Sequence, residues 1–206
     1  MPARRRRLGV LGGSFNPPHL GHLVVASVAC GQLGLERVVF LPAATPPHKA
    51  VADDTPAALR LALTQAAIAG DERFTVSSVE LDQHLAYTRD VLAALRSHEP
   101  GADFVFLMGS DSLLQFASWR DPHAILEQAT LAVALRPGAE AGSVAAEALR
   151  WGAGKVELLD MPPLGVSSTD VRRRARAGLP IRYLVAPLVE DLIRGERLFQ
   201  ADDRPR

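Results

Sequence analysis

With Cys30 as its one cysteine, the 206-residue chain cannot form an intrachain disulfide. Cys30 lies in an apolar stretch and reads as a small buried hydrophobe. No apolar window approaches the roughly 20 residues that a membrane span needs. The basic run from Arg4 to Arg7 precedes too short an apolar stretch for a secretion signal, and reads as solvated. An excess of either charge is also missing. The 23 Lys+Arg and 23 Asp+Glu residues cancel, so nothing global suggests a nucleic-acid partner. Internal repeats and low-complexity segments are absent. These gaps point to a cytoplasmic protein that binds neither nucleic acid nor membrane; they leave a homo-oligomer open.

What remains is 48% hydrophobic and 22% charged, ordinary for a globular protein. The length supports a substantial core and most simply one domain over residues 1–206, with 1–6 and 200–206 as flexible tails. Strand-like runs alternate with helix-like ones. Leu8-Gly9-Val10-Leu11, Arg37-Val38-Val39-Phe40-Leu41 and Phe74-Thr75-Val76-Ser77-Ser78-Val79 read as strands. So do the near-continuous apolar run 103–108, then 131–135 and 156–159. Helices are expected over 20–33, 57–69, 88–97, 143–151, 169–177 and 186–194. The pattern predicts an α/β fold, a Rossmann-like doubly wound parallel sheet with helices on both faces. Loops that follow strand ends carry the ligands in such sheets. The segments after Leu11, after Leu41 and after Met108 are therefore expected to gather at one sheet edge.

The first of these segments is Gly12-Gly13-Ser14-Phe15-Asn16-Pro17-Pro18-His19-Leu20-Gly21-His22. It is not the dinucleotide fingerprint, the lysine-containing phosphate loop or a serine-hydrolase elbow, because the spacings of all three are missing. His19 and His22 fall on one face of a helical first turn. The free N–H groups and dipole of that turn are expected to favour an anion, with two imidazoles beside it. A histidine pair at this spacing also fits zinc, but no convincing third ligand lies nearby, so no metal site is assigned. Late in the chain, Val166-Ser167-Ser168-Thr169-Asp170-Val171-Arg172 reads as a capped helix start, with Asp170 three residues after Ser167. Such a start also offers hydroxyls to phosphate, and Arg172 adds a permanent charge with planar donors.

Gly13-x-Phe15-x-Pro17-x-His19-x-Gly21-His22 resembles the signature of the nucleotidyltransferases. The late block resembles their Ile-Ser-Ser-Thr-x-x-Arg motif. The resemblance implies adenylyl transfer from ATP to a nucleotide phosphate, with His19, His22 and Arg172 as catalytic groups. It further implies that Gly12, Gly13, Ser14, Phe15, Ser167, Ser168 and Thr169 hold ATP. Gly109 and Asp111, which otherwise read as a turn and a helix cap, become adenosine contacts, and Arg136 a neighbour of the ATP site. Mg²⁺ would ride on the ATP phosphates and water, without dedicated protein ligands.

The acceptor is argued from other segments. Gly109-Ser110-Asp111-Ser112-Leu113-Leu114-Gln115-Phe116-Ala117-Ser118-Trp119 is similar to the nicotinate-nucleotide adenylyltransferase subfamily. There the tryptophan stacks on the pyridine ring. Ala86-Tyr87-Thr88 resembles the partner segment that receives the nicotinate carboxylate, so Thr88, Trp119 and Arg120 are implied as neighbours of that group. Pro46-Pro47-His48-Lys49 resembles a family loop near the acceptor phosphate, which implies His48 and Lys49 as its contacts. Ala43 and Ala44 depart from the pattern, since some members carry asparagines there. A sister enzyme acting on nicotinamide mononucleotide or phosphopantetheine, and a non-catalytic nucleotide-binding regulator, remain the alternatives.

Overall fold

A computed structural model describes residues 6–44 and 55–200. Six parallel strands form one sheet in the order β3-β2-β1-β4-β5-β6. They are β1 (Arg7–Gly13), β2 (Arg37–Pro42), β3 (Phe74–Val76), β4 (Asp103–Gly109), β5 (Ala129–Ala134) and β6 (Val156–Leu159). The order runs outward from β1 in both directions, as expected for a doubly wound sheet. Register is tight at the centre, where Val10 pairs with Val39 on one side and Phe106 on the other.

Alternation along each strand divides the core in two. Leu11, Val38, Phe40, Val105, Leu107 and Ala132 point to one face. They meet Ala26, Ala29 and Leu33 of α1 (Leu20–Leu33) and Leu63 and Ala67 of α2 (Ala57–Ile68). Val171 of α8 (Ser168–Arg176) and Val189 and Ile193 of α9 (Pro187–Gly195) complete that layer. Leu8, Val10, Val39, Leu41, Phe104, Phe106 and Leu131 point to the other face. There they pack on Leu92 and Leu95 of α4 (Thr88–His98), Leu113 of α5 (Ser110–Leu114) and Ile125 of α6 (Pro122–Gln128). Val144 of α7 (Ala141–Arg150) closes this side. Among the described residues, no helix is long and apolar enough to cross a membrane.

Several boundaries differ from the sequence reading. The strand expected over 74–79 ends at Val76, and Val79 instead begins the short helix α3 (Val79–Asp82). Ser77 shows why: its hydroxyl accepts from Val79 N at 3.3 Å, a local bond that competes with the ladder. Pro42 ends β2 from inside the strand rather than stopping it beforehand. Of the basic run read as solvated, Arg6 is exposed, whereas Arg7 is half-buried. Arg6 makes two 2.8 Å hydrogen bonds to Glu36, while Arg7 opens β1 and donates to Leu33 O at 2.7 Å. Arg4 and the rest of the predicted tails lie outside the described residues, although the chain is packed as far as Phe199, which is buried. Cys30 is buried, as its surroundings suggest.

Candidate active site

The turn after β1 is built around Phe15, which adopts φ 45° and buries its ring against His22 and Phe40, with centroids at 5.0 and 5.7 Å. His19 then caps α1 in extended geometry. Its Nδ1 accepts from Gly21 N, and Nδ1 of His22 accepts from His19 N, both at 3.1 Å. This is a capping box made of two imidazoles. Because each Nδ1 accepts, each neutral ring carries its proton on Nε2. Gly21 is needed for close approach. A Cβ there would sit 3.0 Å from Cε1 and Nδ1 of His19.

Expectation and structure part here. The first-turn amides of α1 are not presented to an anion. Leu20 N donates to Leu184 O at 2.8 Å, Gly21 N to the His19 ring, and His22 N to His19 O at 2.9 Å. The donors left to this turn are the imidazole Nε2–H groups. Burial drives the His19 pKa down to about 4, aided by the charge of Arg136. Burial, the adjoining His19 and Arg136 hold His22 well below the ordinary histidine range as well. Both rings are thus neutral donors at neutral pH.

The late block docks directly onto this turn. Ser167 caps α8, accepting from Asp170 N at 3.1 Å and donating to Asp170 Oδ2 at 2.7 Å. Ser168 Oγ donates to Pro17 O at 2.8 Å, and Arg172 Nη1 to Asn16 O at 2.8 Å. Thr169 is exposed, with its hydroxyl 3.4 Å from Arg172 Nη2. Ser168 and Arg172 stand four apart, hence on one helix face. The capped-start reading and the phosphate-block reading coexist in the same residues.

After β4, Gly109 rather than Asp111 occupies the cap position of α5. Asp111 Oδ1 instead lies 3.3 Å from Arg136 Nε. Both groups cover Gly109, where a Cβ would fall 2.5 Å from Asp111 Oδ1 and 2.9 Å from Arg136 Nε. Buried Ser110 accepts from Arg136 N at 3.1 Å, fixing the end of β5 to the start of α5.

A cavity of about 340 Å³ opens beside these segments. It is lined by Gly12, Gly13, Ser14, Thr88, Asp111, Trp119 and Arg120, joining expected ATP-side and acceptor-side residues. The ends of β1 and β4 do converge on one edge, and Ala43 brings β2 to the same cavity. Trp119 stands edge-on to Phe106 and Phe116, at 6.0 and 5.5 Å, and the guanidinium of Arg120 lies 5.2 Å above the Tyr87 ring. His19, His22, Arg136, Arg172 and the Ser167–Thr169 run do not line the cavity but adjoin it through the turn and α5. His48 and Lys49 lie outside the described residues.

Two residues escaped sequence reasoning. Arg60, fully buried in α2, donates to Ser14 O at 2.9 Å, Ala44 O at 3.1 Å and Thr55 O at 3.3 Å. Glu80, buried in α3 at the cavity wall, accepts from Ala44 N at 3.2 Å. Burial raises its pKa to about 7. A usable signal for Arg60 existed: it shares the buried stripe of Leu63, Thr64 and Ala67 at spacings of three, four and seven.

Comparison with known proteins agrees with this geometry. The cytidylyltransferase-like family model matches residues 10–174. A probable nicotinate-nucleotide adenylyltransferase of Thermomicrobium roseum is 43% identical over 94% of this chain and 92% of its own. One from Saccharopolyspora erythraea is 41% identical over 98% and 93%. The chain belongs to the nicotinate-nucleotide adenylyltransferase family. Among solved structures, a Plasmodium falciparum nicotinic acid mononucleotide adenylyltransferase complexed with NaAD superposes with a TM-score of 0.77. It covers 94% of this chain and 97% of its own at 18% identity, a likeness of fold.

Proposed function

We propose that this chain moves AMP from ATP to nicotinate mononucleotide, giving nicotinate adenine dinucleotide and pyrophosphate in NAD biosynthesis. The observation that carries this reading is the bonding of Ser168 and Arg172 to the carbonyls of Pro17 and Asn16, which joins the late block to the histidine turn. The neighbouring cavity, with Trp119 and Thr88 in its wall, suits a flat aromatic acceptor.

The acceptor phosphate, with a second pKa near 6, is largely a dianion at neutral pH. Its oxygen attacks the α-phosphorus, forming a new P–O bond while the bond to the β-phosphate oxygen breaks and pyrophosphate leaves. No proton has to be removed from the nucleophile, and no covalent enzyme intermediate forms. Positioning and charge stabilisation therefore dominate. His22 and His19 donate through Nε2–H to α-phosphate oxygens as charge develops. Arg172 and the hydroxyls of Ser167, Ser168 and Thr169 hold the β- and γ-phosphates. Gly12, Gly13, Ser14, Phe15, Gly109, Asp111 and Arg136 frame the adenosine side. Thr88, Trp119 and Arg120 face the pyridine ring and its carboxylate, and His48 and Lys49 serve the acceptor phosphate.

Mg²⁺ carried by the triphosphate and water would supply counter-charge, with no dedicated protein ligand. Of the carboxylates that line the cavity, Asp111 faces Arg136 and Glu80 faces Ala44 N, so both are engaged by protein groups. The chain acts as one nucleotidyltransferase domain in the cytoplasm, with small nucleotides as its partners.

Pyrophosphate release measured with ATP, Mg²⁺ and a panel of acceptors tests the reading. Nicotinate mononucleotide should give the highest kcat/KM. A preference for nicotinamide mononucleotide or phosphopantetheine overturns the acceptor, and ATP binding without pyrophosphate release overturns catalysis.

A further inference from the structure

Arg60 is 1% exposed, yet it carries a guanidinium into the core. Burying such a charge costs several kcal/mol, and apolar replacements of buried ionic groups are often neutral or stabilising. Stability alone is thus a poor reason for an arginine at this point of an Ala- and Leu-rich helix. Its contacts suggest a better one. One planar group reaches three backbone carbonyls from three separate stretches of chain: Ser14 in the turn after β1, Ala44 after β2, and Thr55 before α2. Lysine, a single ammonium, could not span them.

Glu80 acts on the same spot from the other side. It is 8% exposed and accepts from Ala44 N at 3.2 Å, while Arg60 takes Ala44 O at 3.1 Å. The backbone of Ala44 is therefore gripped at both its N–H and its C=O. When ionised, the Glu80 carboxylate also favours the charged form of the guanidinium that burial opposes. Ser14 and Ala43 line the cavity on the histidine-turn side and the β2 side, and Glu80 lines it between them.

We propose that Arg60 and Glu80 are positioning residues that clamp Ala44 to the turn at Ser14, fixing the acceptor wall of the site against its ATP wall. The proposal rests on the function assigned above. Neither residue touches the reacting atoms. Each acts by holding the two substrate walls in register, so its effect belongs to the ternary complex rather than to either binding step. The hold on Ala44 comes from its backbone groups, gripped by Arg60 and Glu80, and not from its side chain.

Arg60→Met keeps bulk and removes the fork. In this variant kcat should fall at least about tenfold, while the dissociation constants for ATP alone and for nicotinate mononucleotide alone stay within about threefold. Glu80→Ala should lower kcat in the same way, and Glu80→Gln, which still offers Ala44 N an oxygen, should recover most of that loss. Equal loss in the Ala and Gln variants, or a folded Arg60→Met with wild-type kcat, overturns the clamp. Amide exchange at Ala44, followed by NMR, supplies a readout independent of turnover and should accelerate in Arg60→Met and Glu80→Ala. Were the wild-type protein inactive with every acceptor, the functional assignment would fail, yet unchanged exchange in Glu80→Ala would still be required to sink the clamp. If Arg60→Met does not fold, the two Glu80 variants decide alone.

Discussion

A histidine that caps a helix and a histidine that binds phosphate are usually different residues; here one pair caps the helix and, in the proposed reaction, binds phosphate as well. Each ring spends Nδ1 on a backbone N–H, and so keeps Nε2–H as its donor. The arrangement fixes tautomer and orientation before any ligand arrives, which is the preorganisation that electrostatic catalysis needs. His22→Ala should therefore lower kcat at least about 100-fold with an unchanged circular dichroism spectrum. Near-normal turnover would remove His22 from the reaction. The same burial has a pH signature. His19 titrates at about 4 in the folded protein, against an ordinary value of about 6.5. Between those values the unfolded chain binds a proton that the folded chain refuses, so stability is full above pH 6.5 and falls towards pH 4. The difference corresponds to about 3 kcal/mol for His19. Glu80, titrating at about 7 when folded, works in the opposite direction over pH 7 to 4.5. Chemical denaturation of His19→Asn should thus show a shallower acid loss than wild type, and of Glu80→Gln a steeper one. Parallel pH profiles for all three would show that neither group is tuned by the fold.

At the scale of elements, α8 matters for what its N-terminal half grips. Arg172 holds Asn16 O at 2.8 Å and, in the proposed reaction, the triphosphate as well; only a forked, planar donor serves both. Arg172→Lys should lower kcat/KM for ATP about 10- to 100-fold while the melting temperature hardly moves. A lysine variant with wild-type kinetics would show that charge alone suffices. Elements of this kind were legible because their residues are chemically loud. The apolar runs of β1, β2, β4 and β5 announce central parallel strands, and the two phosphate blocks announce themselves by spacing. Quieter elements stayed hidden. The one-turn helices α3 and α5 carry no periodicity, and Ser77 and Ser78 made the 74–79 run look longer as a strand than it is. The fate of the α1 amides was also invisible, since Leu184, which takes Leu20 N, lies far away in sequence. Arg60 left a trace in its helical stripe, but its three carbonyl partners come only with the fold.

The sheet divides labour as well as core. The face that packs α1, α2, α8 and α9 carries the elements that join the two motif blocks, and Val171, next to Arg172 in sequence, is buried there. The opposite face, packed by α4 to α7, includes Leu131 at the centre of β5, away from that junction. Loss of packing should therefore cost stability on both sides but alignment on only one. Leu131→Ala should destabilise by about 2–5 kcal/mol, and Val171→Ala by about 2 kcal/mol. If the cost were stability alone, the leucine variant would always be the poorer enzyme. At 25 °C, with both variants folded, the order should be reversed. Leu131→Ala keeps kcat within about twofold of wild type, while Val171→Ala drops it at least about fivefold by letting α8 settle away from Asn16 and Pro17. Denaturant melts paired with pyrophosphate-release kinetics measure both quantities on the same samples. A kcat that tracks stability across the two variants would mean that α8 is held by the fold as a whole, and not by Val171 in particular.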